Sequence, residues 1–200
     1  MPGTPTATEP GSISPATGTV EPAWVDDVLR FWFEELSSAD WFRKDEAIDA
    51  RIRERFLPLH ARLLAGELAP PDTPRGLLAA VIVLDQFSRN LFRHDARAYA
   101  ADPVARRIAQ AAIGHGFDAL MALHQRQFFY LPFEHSEDPR DQRMAVSLTE
   151  PLGDPEMIRY ALAHQRIIDR FGRFPHRNAI LGRRSTPEEI EFLKLPMSSF

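Results

Sequence analysis

The sequence predicts an all-α protein with about eight or nine helices, on three observations. Apolar residues recur at three- and four-residue steps from Glu21 onward, the period of a helix with one buried face. No segment sustains period-two alternation, and neither Asn-Gly nor Asp-Gly occurs to turn a hairpin. Several helical stretches come as pairs joined by short links, which suits an α-solenoid of tetratricopeptide-like pairing rather than a four-helix bundle, although no clean 34-residue repeat is present.

Trp24, Val28, Phe31 or Trp32, and Leu36 define the first helix, with Asp26, Asp27, Glu34 and Glu35 on its other face; Ser37, Ser38 and Asp40 break it. The second starts near Asp45, aligns Ile48, Ile52, Phe56, Leu59 and Leu63, is kinked by Pro58, and stops at Gly66 before Pro70-Pro71. Thr73 and Pro74 supply a cap and first residue for a third helix that runs through LLAAVIVL (77–84) to Phe87 or beyond; it is apolar nearly all round and so central. Asp102 with Pro103 repeats the cap signal and opens a helix to about Gly114. A short helix over Gln125 to Leu131 ends at Pro132, and another spans Pro139 to Leu148. Asp154-Pro155 begins a long helix that Gly172 ends, and Ser185 or Thr186 caps a last one at Pro187.

Residues 1–20 hold four prolines, three glycines and seven Ser or Thr, a composition that reads as a disordered leader without the features of a signal peptide; residues 21–200 form a single α-helical domain. The longest apolar run is eight residues, closed by Asp85, so no membrane span is expected and a cytoplasmic location is. A formal net charge of -4 disfavours nucleic acid as a partner. The absence of cysteine removes disulfides, thiolate nucleophiles and thiolate metal sites. Arginine outnumbers lysine 22 to 2, as a GC-rich genome would produce, so each arginine is judged by its context.

Three segments carry more polar chemistry than packing needs. In LDQFSRNLFR (84–93), Asp85 and Arg89 stand four apart and pair on a helix; Arg89 and Asn90 either end that helix structurally or project into a cleft, while Arg93 and His94 read as solvated loop. In FFYLPFEHSEDPRDQ (128–142), Glu134, His135 and Glu137 follow an aromatic plug. A carboxylate beside an imidazole serves acid–base work, but the same stretch also caps the next helix through Ser136 or Asp138. No HExxH or comparable spacing supports a metal, and no cofactor is implied. In FGRFPHRNAILGR (171–183), Pro175 presets a short helix whose first turn carries His176, Arg177 and Asn178 over free amides suited to an anion. Seven arginines lie between Arg159 and Arg184 against one acid, whereas residues 21–49 hold nine acids, so pairing between the acidic first hairpin and the basic C-terminal quarter competes with an anion-binding concavity.

VLRFWFEE (28–35), WFRKDEAIDARIRERF (41–56), LDQFSRNLFR (84–93), FFYLPFEHSEDPRDQ (128–142) and HQRIIDRFGRFPHRNAILGRRSTPEEIEFL (164–193) occur in the order of the bacterial family known as domain of unknown function 924, which the chain closely resembles over roughly residues 22–193. The resemblance implies an all-α superhelix similar to tetratricopeptide-repeat proteins, hence a right-handed α-α superhelix, and implies no reaction. Its motif positions fall on Asp85, Arg89, Asn90, Glu134, His135, Glu137, His164, Arg173, His176, Arg177 and Asn178, among others. Ser88 departs from the family, which typically has proline there.

Three functions from different classes follow. The first is a binding module that takes a small anion, a carboxylate or a peptide terminus in a pocket lined by Arg89, Asn90, His135, His164, Arg173, His176, Arg177 and Asn178. The second is an enzyme with His135 or His176 as acid–base and Glu134 or Glu137 as orienter, acting on a phosphate- or carboxylate-bearing small molecule. In the third the polar cluster only ties helix ends together.

Overall fold

Side-chain caps set most of the helix starts. The structure, a computed structural model, describes residues 21–199; the disordered leader expected over residues 1–20 lies outside them. Helix α1 (Ala23–Arg30) buries Val25, Val28 and Leu29 and continues as a π turn over Phe31–Glu35. The Asp45 carboxylate accepts from the amides of Ala47 at 2.9 Å and Ile48 at 3.2 Å to start α2 (Glu46–Leu64), satisfying donors that a helix start leaves without partners. The buried face of α2 is Ile48, Ile52, Phe56, His60 and Leu63, so His60 takes the inward position assigned to Leu59.

Thr73 Oγ1 accepts from Gly76 N at 3.0 Å and Pro74 is the first residue of α3 (Pro74–Val81). A methyl at Gly76 would lie 2.6 Å from the Pro71 carbonyl oxygen, so this turn closes only over glycine. The helix runs on through a π turn, Ile82–Phe87, into α4 (Ser88–Leu91), and every residue from Leu77 to Leu91 except Arg89 is buried. Single π turns widen a helix locally and recur at functional sites. Here the turn contains Asp85 and Gln86, two polar side chains in the centre of the core.

After the single turn α5 (Arg97–Ala100), helix α6 (Asp102–Gly114) presents Ala105, Ala109 and Ala112 inward, continuing the buried N-cap Ala101, and packs against α3 and α7. Helix α7 (Leu123–Glu134) buries everything from Phe128 to Glu134. It passes through Pro132 instead of ending there, giving up the one bond that residue would have made to the Phe128 carbonyl while the buried aromatic face holds the helix together. Asp138 caps α8 (Pro139–Thr149), Asp154 caps α9 (Pro155–Phe171), and Gly172 ends α9 with φ of +68°. A 3₁₀ turn at Pro175–Arg177 leads to α10 (Pro187–Phe192), whose start is a reciprocal capping box between Thr186 and Glu189.

The fold is all-helical, with no strand among the described residues. Counting Pro74–Leu91 as one helix and setting aside the turn at Arg97–Ala100 gives eight helices among the described residues. Neighbours in sequence are neighbours in space, since α6, α7, α8 and α9 each pack on the next. One large core spans Val25 to Ala145, rich in edge-to-face aromatic contacts such as Phe31–Phe87 at 5.9 Å and Trp32–Phe128 at 5.7 Å. A small separate cluster of Ile167, Ile168 and Phe174 holds the C-terminal quarter. No described helix is long and apolar enough to cross a membrane.

Candidate functional site

The π turn delivers Asp85 to the start of the α7–α8 link, where its Oδ1 lies 2.8 Å from His135 Nδ1. The acid is 1% exposed, and its other oxygen accepts from Gln86 Nε2 at 2.5 Å. Burial alone would raise this carboxyl, but the Arg89 guanidinium and His135 outweigh it and hold Asp85 down at about 2. Arg89, one helical turn on, donates to the Asp85 carbonyl at 2.6 Å and forks onto Asp102 at 3.1 and 3.3 Å. Asp102 therefore serves as a partner for Arg89 and not as the helix cap that its place before Pro103 suggests; no side-chain cap bond starts α6.

The orienter of His135 is thus Asp85, and neither Glu134 nor Glu137 fills that role. Burial, then Arg89, lowers the basicity of His135 despite the adjacent Asp85, so the ring is neutral at pH 7. A neutral ring beside an ionised acid donates from Nδ1 and keeps the lone pair on Nε2.

Arg177 comes to this place from the Pro175–Arg177 turn. Its guanidinium is sandwiched between the rings of Tyr99 and Phe174, at 4.6 and 4.4 Å from their centroids, donates to the His135 carbonyl at 3.0 Å, and lies 3.8 Å from Asp102. Its Nε is buried without a hydrogen-bond partner. Burial, then the neighbouring Arg89, pulls Arg177 down to about 10, still protonated at neutral pH.

Behind His135 sits a second imidazole–carboxyl pair. His164 Nδ1 is 3.5 Å from Glu134 Oε2 and 2.8 Å from the Tyr160 carbonyl, and the two imidazole rings are 6.0 Å apart. Burial, then the Asp85 charge, raises Glu134 to about 8; burial, then His135, lowers His164 to about 3. Both are uncharged at pH 7, which is how two titratable groups are accommodated in a dry interior.

Other residues of the three polar segments lie elsewhere. Asn90 and Arg93 both donate to Asp49, at 2.8 Å each, so Arg93 is a half-buried ion-pair member and not solvated loop. Arg173 forks onto Glu189 at 2.7 and 2.8 Å, and Asn178 Nδ2 reaches Ser185 and the same Glu189, which makes this trio a tie between the last turns. His176 packs 5.5 Å from Phe174; burial, then Arg177, lowers it to about 4.

The anion expected over the Pro175 turn is the protein's own Glu137. It accepts from Phe174 N at 2.8 Å and takes a forked pair from Arg183 at 2.7 and 3.0 Å. Against the opposing effect of burial, Arg183 and that amide keep Glu137 below the usual range. Among the described residues the acidic first hairpin does not pair with the basic C-terminal quarter: Glu35 takes Arg51 and Arg55, Asp26 takes Arg75 and Asp49 takes Arg93, while Arg170 and Arg173 find Glu188 and Glu189.

Above the Asp85–His135 pair lies an open depression of about 470 Å³, lined among others by Tyr99, Asp102, Arg106, His135, Glu137 and Arg177. Asp102, Tyr99 and Arg106 join this lining without a sequence signal for it. Asp102 carried a cap signal that hid its role, and nothing local marks the other two. No group of three or more His, Asp or Glu among the described residues is arranged to hold a metal.

These features define a class: an all-α protein with a buried carboxylate–imidazole–guanidinium cluster under one open depression. The chain belongs to the family described as bacterial protein of unknown function (DUF924), whose model matches residues 28–197. It is similar to a solved structure of a protein of unknown function from Agrobacterium tumefaciens, with 42% identity, 86% of this chain and 97% of that chain covered, and a TM-score of 0.81. No curated protein matches it.

Proposed function

We propose that the protein is a binding module whose depression takes a small carboxylate-bearing ligand, a free peptide terminus included, rather than nucleic acid or a membrane. The observation that carries this reading is Arg177, a protonated guanidinium locked between two aromatic rings, with Nε unpaired, at the edge of a depression it shares with Arg106 and His135. A preorganised guanidinium binds a carboxylate with little loss of side-chain freedom. The carboxylates of Asp102, Glu137 and Asp138 line the same space. They weigh against a multiply charged phosphate and suit a ligand that also carries an amine. A right-handed tetratricopeptide-like path and a cytoplasmic location accompany this reading.

Thermal-shift and calorimetric titration with acetate, succinate, glycine, a dipeptide and inorganic phosphate test it. The expected result is saturable binding of at least one carboxylate, lost in Arg177→Lys, which keeps the charge but not the planar fork. A second reading, that the cluster is only structural, is favoured for Arg173 and Asn90 by their bonds to Glu189 and Asp49, and for Asn178 by the bonds of its Nδ2 to Ser185 and Glu189. Equal melting temperatures with and without every carboxylate would extend that second reading to Arg177.

A further inference from the structure

The binding reading leaves His135 without a task. Its ring is fixed by a buried acid, a more demanding arrangement than lining a depression requires. Asp85 holds Nδ1 at 2.8 Å, and Gln86 and Arg89 in turn hold Asp85. Among the described residues Nε2 has no hydrogen-bond partner, and the residue faces the depression. A neutral imidazole with its tautomer set by a carboxylate, and its lone pair directed at a ligand space, is the arrangement of a general base.

We propose that His135, positioned by Asp85, is a catalytic base that activates water to hydrolyse an ester or amide bond in a carboxylate-bearing small molecule. This rests on the binding reading above, since the same depression must hold the substrate. The nucleophile is water, because Ser136, the hydroxyl next to His135 in sequence, is committed to Asp141 at 2.6 Å and accepts from Asp138 N, and the Tyr99 ring is taken up by the Arg177 guanidinium. Nε2 takes a proton as the water oxygen bonds to the carbonyl carbon and the C=O π pair moves onto oxygen. Arg177 is the cation at hand for that oxyanion; Arg106, which also lines the depression, is paired with Asp141 at 3.1 Å. The pair returns as the C–O or C–N bond breaks, the leaving group takes the proton from Nε2, and an acid plus an alcohol or amine depart. Nothing is oxidised or reduced. Acyl chemistry is preferred over phosphoryl chemistry because Asp102, Glu137 and Asp138 would repel a phosphate at the same place.

The test incubates the full chain with methyl hemisuccinate and N-acetyl amino acids, each with a free carboxylate, and with methyl propionate as the control that lacks one, and follows products by NMR. Wild type should hydrolyse at least one carboxylate-bearing compound. His135→Gln should lose at least about 100-fold in kcat/KM. Asp85→Asn should lose about 10-fold or more and move the acid limb of the pH profile to lower pH, because the ring loses the charge that sustains its basicity; a merely structural Asp85 would leave the limb in place. Circular dichroism checks that each variant folds. Should either unfold, carbethoxylation of folded wild type by diethylpyrocarbonate, located on His135 by mass spectrometry and accompanied by loss of turnover, replaces it. Wild-type rates equal to the uncatalysed rate on every compound overturn the proposal. Calorimetry with succinate and glycine then separates the two readings: binding without turnover defeats hydrolysis and leaves the module standing, and no binding defeats both.

Discussion

Replacing Glu134 by glutamine removes an ionisable group that the interior suppresses, and its effect is calculable across pH. In the folded protein Glu134 titrates at about 8, against 4.5 for the free side chain. A carboxyl raised on folding contributes its full stability below pH 4.5 and loses it as pH rises through 8, because the unfolded chain releases the proton first. With about 1.4 kcal/mol per pH unit, the wild type forfeits roughly 1 kcal/mol by pH 5 and about 3 kcal/mol by pH 7. Glutamine keeps the shape and cannot ionise, so the variant should gain on wild type by those amounts. His164, lowered to about 3 by burial and then by His135, acts oppositely: its contribution is lost as pH falls below 6.5, in both proteins alike. Urea unfolding followed by far-ultraviolet circular dichroism at pH 5, 6, 7 and 8 measures the difference. A constant gap between variant and wild type at all four values would refute the assignment of a buried, protonated Glu134.

Other substitutions probe the supports of the site. Glu189→Ala strips the partners of Arg173, Asn178 and the Thr186 amide together, and should cost about 3 kcal/mol in urea unfolding; a loss under 1 kcal/mol would mean the tie is idle. Gly76→Ala places a methyl 2.6 Å from the Pro71 oxygen and should lower stability by about 1–3 kcal/mol, the reverse of the usual gain for this change in a helix. Asp154→Ala removes the oxygen that accepts from Glu156 N and Met157 N, at 2.9 and 3.1 Å, at the start of α9 and should cost about 1 kcal/mol by the same assay. Amide exchange should be faster in α10 than in α3, since three buried apolar side chains form the C-terminal cluster while α3 buries Gly76 through Val81.

What was legible in the sequence was local. Asp45, Thr73, Asp138, Asp154 and Thr186 act within three residues of their own position, so their caps could be read directly or nearly so. The pairing of Asp85 with Arg89 was visible for the same reason. Its use on His135, 50 positions away, was not, because two equally suitable acids flank the histidine in sequence and only the π turn decides between them and Asp85. Glu137, in sequence as fit to orient His135 as Glu134 is, clamps Arg183 and Phe174 N instead, contacts across 46 and 37 residues. Asp102 shows the converse error: a cap pattern was present and the carboxylate was drawn instead to a half-buried guanidinium, the stronger claim on a charge leaving water.

The alanine stripe on α6 ties site geometry to core volume. Ala101, Ala105 and Ala109 let that helix sit close against α3, and Asp102 and Arg106 ride on the same rod. A wedge such as Ala105→Val, wholly apolar and out of contact with any ligand, would lever the rod outward and lengthen the span from Asp102 to Arg89. The spacing of charges at the mouth is in this sense set by the size of methyl groups beneath it, and affinity is adjustable from positions that no polar probe touches.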